Sequence, residues 1–441
     1  TGADQLSGGA GADTFIFNGT ADVGAGESVD GGADTDTLHL TATTDLSSVS
    51  ITGIEALTLA EAADATFAGS QITGANWTVA GTTGGVVERV IVTAAANATV
   101  NLSGITTVTN AAFRIDGSTG DEVLTGTAGS DTITGGLGSD AMSGGGGDDT
   151  FVYNGTPDTS ATETVNGGSG TDTVHLASNT NLSDVTFTDI EAFTIADGAT
   201  LTLSPTQVGG QTWAVNGTSG GGTETLIVTS ISGVALDLST LTGLNHLAVT
   251  LNGAGGAETL TGTSVADTIS GLVGADNLVG GAGADSLSGN DDADTLSGGI
   301  GGDTLSGGLG ADILTGGADS DRFVFGTTDS GLTLGTADTI ADFTSGADTL
   351  GLGLAGDATA GTGNYVEAGA AVADFTAALA AADLALAALN GTSAASQLYA
   401  FEFDGTNGYL FVDTDSDGDA DQVIVLTGVD NTEISAGDIV T

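Results

Sequence analysis

The stretch Gly280-Gly-Ala-Gly-Ala-Asp285-Ser-Leu-Ser288 runs directly into Gly289-Asn-Asp-Asp-Ala-Asp294-Thr-Leu-Ser297 and Gly298-Gly-Ile-Gly-Gly-Asp303-Thr-Leu-Ser306. Each nonapeptide opens on Gly, places a carboxylate at position six and an apolar residue at position eight. The frame holds for eight consecutive nonapeptides, from Gly253 to Val324. Position six reads Glu258, Asp267, Asp276, Asp285, Asp294, Asp303, Asp312 and Asp321, and position eight reads Leu260, Ile269, Leu278, Leu287, Leu296, Leu305, Leu314 and Phe323. Glycines permit positive φ, so the chain can turn every nine residues. Positions seven to nine then form a minimal strand whose apolar member points inward. Two nonapeptides close one flattened coil, and coils stack into parallel sheets.

Outward from this block the same frame recurs. A second block runs from Gly117 to Val152, with Glu122, Asp131, Asp140 and Asp149 at position six. A third contains Asp4 and ends with Asp13, and isolated nonapeptides lie at Gly31–His39, with Asp34 and Asp36, and at Gly167–His175, with Asp172. A shift of 136 residues superimposes Asp13 on Asp149, His39 on His175, Glu55 on Glu191, Trp77 on Trp213 and Glu88 on Glu224. The chain is therefore a tandem duplication. Its expected divisions are a first module at 1–116, a second at 117–252, an eight-repeat roll at 253–324 and a C-terminal region at 325–441. Thr1 falls in mid-module, so an array continuing upstream is expected.

A period of two repeats brings Asp267 opposite Asp285, Asp276 opposite Asp294, and so on up the stack. Stacked carboxylates repel unless a cation lies between them. With glycine carbonyls they offer an all-oxygen shell, which suits Ca²⁺ over zinc or Mg²⁺. The repeats resemble the Gly-Gly-x-Gly-x-Asp-x-apolar-x units of the RTX, or haemolysin-type, calcium-binding family. That resemblance implies a calcium-binding parallel β-roll and several bound Ca²⁺ ions. Two departures stand out. Glu122 and Glu258 replace Asp, and Gly262–Ser270 and Gly271–Val279 lack the second Gly, so these turns are expected to bind weakly or to act as caps.

The segments between blocks carry short β-like runs such as Glu88–Thr93 and Ala111–Ile115, separated by Gly, Asn and Ser turns. Rungs of this length suit a β-solenoid continuing the stack, with a small β-sandwich as the alternative. Trp77 and Trp213 read as core residues more readily than as sugar platforms. The combination resembles bacterial surface-layer and large adhesin proteins. The whole is read as all-β, with calcium-binding β-roll blocks joined to solenoid-like segments and one short helix near the C-terminus.

That helix is expected at Ala373–Leu389, with Phe375, Leu379, Leu386 and Leu389 on one side and Asn390-Gly391 as its stop. Strands are expected at Leu398–Phe403, Tyr409–Val412 and Gln422–Leu426. The segment Asp338–Leu350, with Asp342 and Asp348 as further ligand candidates, resembles the closure of serralysin-type β-rolls. The C-terminal region as a whole resembles the uncleaved type I secretion signal of RTX proteins. Its acidic loop, Asp413-Thr-Asp415-Ser-Asp417-Gly418-Asp419-Ala-Asp421, begins like an EF-hand. Position twelve is Ile424, however, so a calcium-binding turn within a hairpin is expected, with Asp413, Asp415, Asp417 and Asp421 as ligands.

Composition limits the alternatives. Fifty-seven acidic residues against three Arg and no Lys give a net charge of −54, which disfavours nucleic acid and anionic membrane as partners. The acids divide as 45 Asp and 12 Glu, a bias toward turns and hard-cation loops. With no Cys and three scattered His, disulfides and transition-metal sites are not expected. No apolar run is long enough to span a bilayer. Ser219 lies in a Gly-x-Ser-x-Gly match that chance supplies in so Gly-rich a chain, and Glu55 and Glu191 read as surface or calcium-adjacent. The expected function is therefore non-enzymatic: a secreted structural protein of the surface-layer, matrix-fibre or adhesin kind, exported by type I secretion. Calcium ions and further copies of the chain are the expected partners, and a cell-surface glycan is a candidate. The alternative is the export tail of a secreted protease or lipase.

Overall fold

Strands Asp267–Val273, Ser286–Asp291, Thr304–Leu309, Arg322–Val324 and Thr349–Gly351 pair in parallel, with Ile269, Leu287, Leu305, Phe323 and Leu350 in one register column. On the opposing sheet Leu260, Leu278, Leu296, Leu314 and Ile340 form the matching column. Every one of these side chains is at most 1% exposed. One apolar residue per nonapeptide thus fills the whole interior of the roll, as the repeat's position eight demands.

The strands are longer than the three residues expected. Thr295–Ile300, for instance, runs from position seven into the first three residues of the next repeat. Gly281, Gly299 and Gly317 pair in register across coils at φ of 115°, 116° and 108°. A methyl group on Gly299 would stand 2.1 Å from the carbonyl oxygen of Gly281, so Gly is favoured there, although Leu272 and Asn290 hold the equivalent place on the opposing sheet at φ 79° and 78°.

The computed structural model describes residues 2–83, 87–160, 162–353, 356, 363–367, 369–393 and 395–441. It divides into two compact units. The first comprises Thr1–Leu203, Thr212–Glu224 and Thr242–His246. The second comprises Ser204–Gln211, Thr225–Leu241 and Leu247–Thr441, and includes the eight-repeat roll.

In the first unit one ten-stranded parallel sheet runs from Thr44–Asp45 through Glu88–Thr93, Ala111–Asp116, Asp131–Thr134 and Thr150–Tyr153 to Thr242–Gly243. Val92, Ile115, Ile133, Phe151, Val174, Phe193 and Val215 share its inner column. The inter-block segments are therefore solenoid rungs, not a sandwich. Their longer rungs, such as 23 residues from Val90 to Phe113, pair in register with the 18-residue rungs of the repeats. Loops outside the strand columns absorb the difference. Both tryptophans are core residues. Trp77 meets Phe67 edge-on at 5.6 Å, and Trp213 lies 4.8 Å from Phe193.

In the second unit Asp338–Ile340 pairs in parallel with Gln422–Thr427, which continues into antiparallel strands Asn407–Asp413 and Leu398–Phe403. The helix spans Phe375–Asn390 and is capped by the Asp374 carboxylate, which accepts the Ala377 N–H at 3.0 Å. Ala378, Ala382 and Leu386 are its fully buried face, while Phe375, Leu379 and Leu389 pack only partly. Small residues bring the helix backbone close to Leu398, Ala400 and Phe411. Among the described residues no helix is long and apolar enough to cross a membrane.

Because each coil has one apolar residue per side, truncation has no neighbour to compensate it. Leu296→Ala should lower the unfolding free energy of the calcium-loaded protein by about 2–5 kcal/mol, read as a shifted denaturation midpoint; a loss well under 1 kcal/mol would contradict this single-file core.

Candidate metal centre

Burial of the position-six carboxylates follows from the turn itself. The glycines leave no side chains between coils, so each Asp is held against backbone and is at most 3% exposed from Asp267 to Asp321. The backbone N–H of each donates to Oδ1 of the carboxylate one coil on. Asp267 donates to Asp285 (2.8 Å), Asp285 to Asp303 (2.8 Å), Asp303 to Asp321 (2.9 Å) and Asp321 to Asp348 (3.0 Å). On the other side Glu258 donates to Asp276 (2.7 Å), Asp276 to Asp294 (2.7 Å), Asp294 to Asp312 (2.7 Å) and Asp312 to Asp338 (2.9 Å). The residues meet two repeats apart, but the atoms that touch are an amide and one carboxylate oxygen, not two carboxylates.

The second oxygen is left over. Among the described residues Oδ2 of Asp13, Asp36, Asp140, Asp149, Asp172, Asp276, Asp285, Asp294, Asp303, Asp312, Asp321 and Asp338 is buried without a hydrogen-bond partner. Apart from that of Asp338, each faces the first Gly of its own repeat. A methyl on Gly280 would stand 2.4 Å from Asp285 Oδ2 and 2.5 Å from the Gly298 carbonyl oxygen of the next coil. Gly289 has the same neighbours in Asp294 Oδ2 (2.2 Å) and the Gly307 carbonyl (2.5 Å). Carboxylate and carbonyl oxygens thus converge where no side chain can enter. A row of buried, unpaired anionic oxygens is strongly unfavourable without a counter-charge.

In the first unit the ladder continues from Asp131 to Asp149 and from Asp149 to Asp172, both at 2.8 Å. It then reaches Glu191, whose Oε2 accepts the Asp172 N–H at 2.7 Å. The earlier copy runs from Asp13 to Asp36 (2.8 Å) and from Asp36 to Glu55 (2.9 Å). Glu55 and Glu191 therefore end ladders, a role hidden by a 19-residue rung and by Glu in place of Asp. Asp338 was also missed, because it lies 26 residues beyond Asp312 and breaks the nine-residue frame.

Some turns need no ion. Both oxygens of Glu122 accept backbone amides, from Asn97 (2.7 Å) and Ser118 (3.1 Å), and Glu258 does the same with Gly233 (2.6 Å) and Ala254 (3.2 Å). Asp131 and Asp267 take the amide and hydroxyl of Thr127 and Thr263 on Oδ2. Asp276, in the other repeat lacking its second Gly, keeps a free Oδ2.

The remaining candidates differ. Asp4 and Asp34 are exposed, and Asp34 accepts the Gly11 amide from a left-handed backbone (φ 79°). Asp342 bridges the amides of Gly316 and Gly317, and Asp348 Oδ2 accepts the Thr344 amide. In the hairpin loop, carboxylate oxygens of Asp413, Asp415 and Asp421 lie within 4.8 Å of one another, with Asp413 buried and the others exposed. Asp417 is not in this group; its Oδ1 accepts the Asp419 amide. Ser219 lies in an exposed turn between two strands, and His39 and His175 pair with Thr58 and Thr194.

Burial drives the carboxyls upward, and neighbouring carboxylates add to it. Asp149 and Asp338 are raised to about 8, Asp131, Asp267 and Asp294 to about 7, and Asp140, Asp303, Asp312 and Asp321 to about 6. The set fits a hard divalent cation. Ionised Asp Oδ2 and turn carbonyls would hold Ca²⁺, which supplies the missing positive charge between coils.

Four stretches, residues 1–23, 116–151, 252–287 and 288–323, match the RTX calcium-binding nonapeptide repeat. These segments are RTX calcium-binding repeats, so Ca²⁺ is the ion that the carboxylates within them would hold. Among solved structures the chain is similar to the solution structure of the AlgE6R3 subunit from the Azotobacter vinelandii mannuronan C5-epimerase. The two are 27% identical over 43% of this chain and 80% of that one, with a TM-score of 0.25. No curated protein sequence matches the chain significantly.

Without calcium the folded chain binds protons that the unfolded chain, with ordinary carboxylates near 4, releases. The resulting penalty is absent below about pH 4, grows through the folded values of 6 to 8 and is complete above them. In chelator, the denaturation midpoint should therefore rise as pH falls from 8 to 5, while calcium affinity weakens over the same range. A metal-free midpoint that falls on acidification would sink this account.

Proposed function

We propose that the chain is a secreted, non-catalytic structural protein of the cell surface or extracellular matrix, of the surface-layer, fibre or adhesin kind. The observation that carries this reading is the ten-stranded sheet of the first unit. It crosses from the first copy of the 136-residue module into the second, joining strands from Thr44–Asp45 to Thr242–Gly243. Adding modules lengthens such a stack and creates no new cleft. A chain selected for reach or for tiling is built this way.

Calcium sets where folding happens. In a calcium-poor cytosol the unpaired carboxylates oppose the fold and keep the chain exportable by a type I route. Outside, binding only to the folded roll stabilises it by mass action. The high acidic charge left on the surface makes further ions natural bridges between copies, so a lattice or fibre of this chain is the expected assembly. Buried Trp77 and Trp213 offer no sugar platform, so any glycan recognition falls to other residues. A second reading, the export tail of a secreted enzyme, draws on the helix and hairpin found at the C-terminal end.

Circular dichroism of the full chain near pH 8 should show less β-structure in chelator than in millimolar calcium, and added calcium should restore it. Light scattering and electron microscopy of the calcium-loaded protein should then show regular assemblies. Unchanged β-signal on chelation defeats the folding mechanism, and a strictly monomeric loaded protein defeats the structural role.

A further inference from the structure

Two buried carboxylates outside the RTX stretches share the unpaired second oxygen of the ladder. Glu88 and Glu224 occupy equivalent positions in the two modules, and both are fully buried. Oε1 accepts a threonine hydroxyl, from Thr82 at 2.8 Å and from Thr218 at 3.4 Å. Among the described residues Oε2 has no hydrogen-bond partner in either copy.

The surroundings of that oxygen match those of the repeats. A methyl on Gly217 would stand 2.6 Å from Glu224 Oε2 and 2.9 Å from the His246 carbonyl oxygen of the next rung. At Gly81 the distances are 2.2 Å to Glu88 Oε2 and 2.2 Å to the Asn110 carbonyl. Within the repeats, Gly298 has Asp303 Oδ2 at 2.3 Å and the Gly316 carbonyl at 2.6 Å. In every case a bare Gly Cα is flanked by an unpaired carboxylate oxygen and a next-rung carbonyl. Asn110 and His246 both adopt the left-handed backbone, at φ 51° and 55°. Their side chains differ while the carbonyl they present is the same, as expected if the backbone oxygen is what matters. The separation from Gly to carboxylate is seven residues, against five in the repeats. A longer turn and a side chain longer by one methylene occur together.

We propose that Glu88 and Glu224 each bind Ca²⁺ jointly with the carbonyl oxygens of Asn110 and His246, extending the ion ladder beyond the nonapeptides. The donors are all hard oxygen, as calcium requires. This inference rests on the calcium occupancy of the repeats. Its competitor is a neutral glutamic acid that donates its proton to the neighbouring carbonyl.

Long-wavelength anomalous diffraction from crystals of the full chain grown with calcium separates the two. Peaks beside Glu88 and Glu224, together with peaks at the Asp turns, are expected. Peaks at the Asp turns alone overturn this inference and leave the repeats as calcium sites; peaks at neither overturn both. In native mass spectrometry the double variant Glu88→Gln/Glu224→Gln should hold two fewer calcium ions than the parent chain. An unchanged count overturns the proposal, and should the variant not fold, the diffraction result on the parent chain decides.

Discussion

One hydrogen bond organises this protein: the amide of each turn carboxylate donating to Oδ1 of the carboxylate one coil on. It fixes the vertical spacing of the coils and orients every carboxylate alike. It also satisfies only half of each acid. In most turns, among the described residues, no donor reaches the second oxygen, and the fold there is left electrostatically incomplete by its own construction. A demand for counter-charge follows from this geometry. The amide takes one oxygen of the carboxylate and leaves the other for a cation, so the two functions would not compete.

Much of this was legible in the sequence, because the repeat encodes turn, strand and ligand in nine letters. Position eight specified the core columns, and position six specified the ladder. What escaped lay where the period slips. Asp338 joins after a 26-residue detour, and Glu55 and Glu191 after 19-residue rungs, so no fixed offset points to them. Asp4, Asp34 and Asp417 lie in acidic, Gly-rich sequence but outside the buried ladder: the first two are exposed, and one oxygen of the third accepts a local amide. The choice between solenoid and sandwich was open for a related reason. Short alternating strands read alike in both folds, and only the register columns through Val92, Ile115 and Ile133 distinguish them.

The tryptophans make a similar point about residue type. An aromatic ring in a Thr-rich, acidic chain can serve carbohydrate recognition, but alternating strands favour a core role, and a thin β-stack has few other ways to fill a widened rung. Phe67 and Phe193 pack against them where the inter-block rungs broaden, so their size answers a volume requirement.

The two opening turns of each long block have a different consequence. Glu122 with Asp131, and Glu258 with Asp267, complete their hydrogen bonding from the protein alone. Each block thus begins with a starter that is indifferent to the ion, followed by turns that are not. A chain meeting calcium would grow its order from these seeds toward the C-terminus, one coil templating the next, much as a crystal grows from a face already laid down. The order of the turns thus separates coils that are complete on their own from coils that call for the ion.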